Sequence, residues 1–128
     1  MLEKPEDILN QWIQAINQGD IQCLLGLYHD TAVLIPTFSN RLLSKPARLR
    51  EYFELLGSRE QLHISLHEKT LIVQPLTQSL YALCGIYCWR FAIEGELLNF
   101  EARFSYVVDL ALDKPILHHH SSQIPRML

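Results

Sequence analysis

Two long apolar runs on either side of a short turn constrain this chain more than any other feature. Leu80 to Phe91 and Leu97 to Leu110 flank Glu94-Gly95-Glu96, which predicts a long antiparallel hairpin. The second run alternates. Leu98, Phe100, Ala102, Phe104 and Tyr106 occupy one face, and Asn99, Glu101, Arg103 and Ser105 the other. The apolar face packs on a core, and the polar face meets solvent or, in a curved sheet, lines a cavity. Ile116 to Ser122 reads as a last strand. On it His118, His120 and Ser122 share a face with Ile116, and His119 and Ser121 share the other with Leu117.

The first half is mainly helical. Pro5 suits the first position of a helix whose stripe is Ile8, Leu9, Trp12, Ile13 and Ile16, with Gly19 as its stop. Asp20 then caps a short second helix carrying Ile21, Leu24, Leu25 and Tyr28. Asp30 to Pro36 reads as a turn and a short strand. A third helix begins near Pro46 with Ser44 as its cap, presents Leu49, Tyr52, Phe53 and Leu56 inward, and ends at Gly57. Three helices followed by a meander of strands predict an α+β fold: a cone-like curved antiparallel sheet wrapped around three N-terminal helices. At 128 residues, the whole of 1–128 is expected to be one domain.

The balance of 48% apolar and 20% charged residues is that of an ordinary globular protein. No stretch nears the ~20 apolar residues that cross a bilayer, and the acidic N-terminus lacks the layout of a signal peptide. A cytoplasmic protein without membrane contact is expected. The net charge is −3 with Lys and Arg scattered, which argues against nucleic acid as a partner. Cys23, Cys84 and Cys88 form no CxxC pair, and Cys84 and Cys88 are expected as core thiols.

The series Gly19-Asp20, Leu24, Leu27-Tyr28, Asp30, Ala32-Val33-Leu34 and Pro36 resembles the opening of the nuclear transport factor 2-like superfamily. Its members enclose a pocket between a cone-shaped sheet and three helices. A narrower set is Leu34 through Arg41, Arg50-Glu51-Tyr52-Phe53, Gly85-Ile86-Tyr87, Ala102-Arg103-Phe104 and His119-His120-Ser121-Ser122. This set resembles the branch holding the association domain of calcium/calmodulin-dependent protein kinase II and the iota-type carbonic anhydrases. The resemblance implies that Arg103 points into the pocket.

A pocket presenting hydroxyls from Thr37, Tyr52 and Ser122 beside Arg103 and a His suits a small oxyanion such as bicarbonate, because a guanidinium in a partly dry site requires an anion. The resemblance to the carbonic anhydrases implies hydration of carbon dioxide. Thr37 and Tyr52 would then orient water, Arg103 stabilise the carbonate oxygens, His120 handle protons and Ser122 bind product. Ser39, Tyr87 and His118 are expected to bind ligand. His118 and His120 also have the His-x-His spacing of metal ligands, but no further motif supplies a third ligand, so no metal or other cofactor is favoured. The other readings are a non-catalytic association domain and a SnoaL-like isomerase or cyclase, for which Glu101 is the carboxylate on its strand's polar face. A homodimer or higher homo-oligomer is expected in either of the first two cases.

Overall fold

The structure, a computed structural model, describes residues 3–128. Helix α1 (Pro5–Gln18) starts on its proline and buries Ile8, Leu9, Trp12, Ala15 and Ile16, while Ile13 is half-buried. Asp20 caps α2 (Ile21–Leu27) by accepting a hydrogen bond from the Cys23 amide at 3.0 Å. Strand β1 (Tyr28–Ile35) follows with no intervening turn, two residues earlier than the sequence suggested. Helix α3 (Pro46–Gly57) is preceded by Lys45 at the cap position, so Ser44 is not the cap. It buries Leu49, Phe53 and Leu56 and half-buries Tyr52, as expected of its stripe.

Two short strands, β2 (His63–Leu66) and β3 (Ile72–Pro75), pair with one edge of the long strand β4 (Leu80–Ile93). Strand β5 (Glu96–Asp109) continues the hairpin, and β6 (Ile116–Gln123) completes the sheet. Glu94 and Gly95 both take positive φ, 52° and 82°, the geometry of a two-residue hairpin turn that matches strand twist. The order across the sheet is β1-β6-β5-β4-β2, with β3 also on β4. All pairs are antiparallel except β1 with β6, which run parallel, so the sheet is mixed.

One face of the sheet holds the core. Ala102, Phe104, Tyr106 and Val108 of β5 are buried against Leu83, Tyr87 and Trp89 of β4 and against the helices. Their neighbours Arg103, Ser105 and Glu101 lie on the outer face. Cys84 and Cys88 pair with Ser105 and Glu101 and are half-buried on that outer face, not in the core as anticipated. Asn17 of α1 fastens β2: its side chain accepts from the Ile64 amide at 2.8 Å and donates to the Ile64 carbonyl at 2.9 Å. Among the described residues no helix is long and apolar enough to cross a membrane.

Candidate functional site

The sheet separates the residues singled out from the sequence. Within β5–β6 the register pairs Arg103 with Ser122 and Ser105 with His120, and these side chains share a shallow outer-face depression with Thr70. His118 pairs with Val107 and belongs to the same face. Thr37, Tyr52 and Tyr87 are on the inner side, so the single pocket joining Thr37 and Tyr52 to Arg103, His120 and Ser122 does not form. The cause is parity. The pairing slips between Val107 and Val108, so that Ile116 and His119 both turn inward and Leu117 is the extra residue. His119 and Ser121, each 2% exposed, replace His120 and Ser122 on the inner wall.

These two are the buried polar or charged residues among the described residues, and neither lacks a partner. Trp12 donates its indole N–H to the Tyr28 hydroxyl at 3.0 Å. Tyr28 lies 2.7 Å from His119 Nδ1, and Tyr87 lies 3.1 Å from His119 Nε2. The Ser121 and Thr37 hydroxyls are near enough to that of Tyr87 to lower its pKa against the effect of burial, and Ser121 and Thr37 are hydrogen-bonded to each other. One proton assignment uses every donor. Tyr28 accepts from Trp12 and donates to Nδ1, the neutral imidazole donates from Nε2 to Tyr87, and Tyr87 donates outward. The reverse tautomer would leave the Tyr28 proton without an acceptor in a buried place, at a cost of about 1–3 kcal/mol.

Burial sets the charge states of this chain of groups. It pushes the His119 pKa well below the usual imidazole value, with help from repulsion by His118 and His120, so the ring is neutral at pH 7. Burial also raises the Tyr28 and Tyr87 hydroxyls, which therefore stay protonated as donors. Tyr106 stacks on His119 at 3.9 Å and Trp12 meets it edge-on at 5.3 Å, fixing the ring plane. The Trp89 indole N–H and the Tyr106 hydroxyl are buried with no hydrogen-bond partner in the protein. No carboxylate is buried here: Glu101 lies on the outer face, 3.6 Å from His67.

The hydroxyl pair includes half-buried Thr37, and the next residue is Phe38. The Phe38 ring packs edge-on against Trp89, Phe91 and Phe100 at 5.2–5.6 Å, and its amide is 3.4 Å from the Tyr52 hydroxyl. Beyond Phe38 a groove of about 440 Å³ opens at the wide end of the cone, lined by Ser39, Tyr52, Phe91 and Phe100 among others. Ser39 thus sits at the mouth. The sequence left open which face of the last strand is inward, and it is the face that carries His119 and Ser121. Among the described residues, no three His, Cys, Asp or Glu side chains are grouped so as to hold a metal ion.

The sequence matches the family described as SnoaL-like domain over residues 6–127. No curated protein matches it. Among solved structures, a proposed calcium/calmodulin-dependent protein kinase II association domain from Xanthomonas campestris superposes with a TM-score of 0.85 at 23% identity, covering 95% of this chain and 86% of that one. A proposed dehydratase of the NTF2-like family from Streptomyces avermitilis gives 0.80 at 13% identity, covering 94% of both chains. A ketosteroid isomerase-like protein from Erwinia carotovora atroseptica gives 0.74 at 12% identity, again covering 94% of each. At these identities the likeness concerns the fold.

Proposed function

The chain belongs to the SnoaL-like domain family, and from that premise we propose that it is a small-oxyanion pocket protein whose site is the interior of the cone. The observation that carries this reading is the directed run of donors from Trp12 through Tyr28 and His119 to Tyr87, beside the hydrogen-bonded hydroxyl pair of Ser121 and Thr37. Each bond polarises the next, so the outermost hydroxyls are strong donors toward a ligand oxygen. Such an arrangement stabilises negative charge that develops on oxygen when a carbonyl compound enolises or when water adds to it. Neutral His119 and the protonated tyrosines act as donors rather than bases, and with no interior carboxylate the abstracted proton goes to solvent.

An apolar groove of about 440 Å³ favours an organic carbonyl compound over carbon dioxide, which needs far less room. The test is deuterium exchange at the methyl group of 2-acetylnaphthalene in D2O, followed by NMR with the full chain. Exchange faster than in buffer, reduced tenfold or more by Ser121→Ala, is the expected result. Exchange no faster than buffer refutes the reading. Hydration of carbon dioxide is a second reading, favoured by the burial of Ser121, which is 2% exposed beside Thr37 and suits a very small substrate. A stopped-flow hydration assay distinguishes it. In that assay Arg103→Ala, on the outer face, should leave the rate unchanged if the interior is the site.

A further inference from the structure

The groove beyond Phe38 has a charge pattern opposite to that of the whole chain. The chain carries a net charge of −3, yet three arginines, Arg41, Arg48 and Arg59, line this groove with a single carboxylate, Glu51. Arg48 is committed to Glu51 at 3.0 Å. Among the described residues, Arg41 and Arg59 have no carboxylate within ion-pairing distance. Arg59 lies over the Phe91 ring, 5.7 Å from its centre, which holds the guanidinium at the edge of an aromatic floor.

Phe91 and Phe100 stack on each other there, with centres 5.0 Å apart and planes 27° apart; Phe91 is buried and Phe100 half-buried. Apolar surface on the same walls is left to solvent, with Leu55 67% and Ile93 38% exposed. A planar aromatic body would cover this surface, and a carboxylate on it would meet the two unpaired guanidinium groups with matching fork geometry.

We infer that the groove seats a planar aromatic carboxylate, its rings against Leu55, Ile93 and the exposed part of Phe100 and its carboxylate at Arg41 and Arg59. The inference rests on reading the cone interior as an oxyanion site, and it names the substrate class of that site.

Calorimetric titration of the full chain with 2-naphthoate and with its neutral isostere 2-naphthamide tests it. The acid should bind about tenfold more tightly than the amide at low salt. This preference should shrink as salt is raised and fall to within about twofold in Arg41→Gln/Arg59→Gln, whose substitutions lie on the surface. Equal binding of acid and amide, no binding of either, or a preference that survives the double substitution overturns it. The deuterium-exchange assay uses a neutral ketone, so it separates the two readings. Exchange without a preference for the acid removes only the groove inference. A preference for the acid without exchange removes only the reading of the interior.

Discussion

His119 is the residue on which the interior depends. Its ring nitrogens are both engaged by tyrosine hydroxyls, and its pKa is depressed below the unfolded value of ~6.5 by burial and by its flanking histidines. A group of this kind binds its proton more readily in the unfolded chain. Its contribution is complete above the unfolded pKa and is lost as pH falls below it, toward the depressed folded value. The unfolding free energy should therefore fall by as much as about 1.4 kcal/mol per pH unit below pH ~6.5. Urea denaturation at a series of pH values measures this, and His119→Gln should flatten that part of the profile. A wild-type profile flat between pH 7 and 5 would show that the ring is not held neutral. The sequence could not single out His119. Three histidines in a row carry no apolar marker of which face is inward, and the deciding slip in pairing at Leu117 arises from contact with β5.

At the level of elements, the hairpin was the most legible feature, because strict alternation from Leu98 to Tyr106 separates buried from exposed side chains without help from other strands. The inner stripes of α1 and α3 were legible for the same reason at helical period. The short strands β2 and β3, at four residues each, were not individually assigned, since runs so short carry no period and exist through pairing with β4. The parallel pairing of β1 with β6 is likewise a long-range fact. Strand β2 is also tied to α1 through both hydrogen bonds of Asn17 to Ile64. Asn17→Ala removes them and should cost about 1–2 kcal/mol, read as a lower denaturant midpoint with unchanged slope. A larger loss of hydrogen-exchange protection in His63–Leu66 than elsewhere would place the effect in this strand.

For the whole molecule, the sheet is a partition. One side encloses the aromatic and hydroxyl cluster, and the other carries Arg103, His120 and Ser122 beside half-buried Cys84 and Ile86. The resemblance implied Arg103 as a pocket residue, and the geometry places its side chain on the outer face. We propose that this outer face is where two copies of the chain associate. Light scattering should then give twice the chain mass, and Arg103→Glu should lower it by removing the cation beside Glu101 on this face and leaving two carboxylates to repel those of the second copy. Monomeric wild-type protein at micromolar concentration would remove that proposal. Which side of the partition holds ligand is tested most directly by mapping amide chemical shifts during titration with 2-naphthoate. Perturbations are expected at Phe38, Tyr52, Phe91 and Phe100. Perturbations confined to Thr70, Arg103, Ser105 and His120 would contradict that expectation.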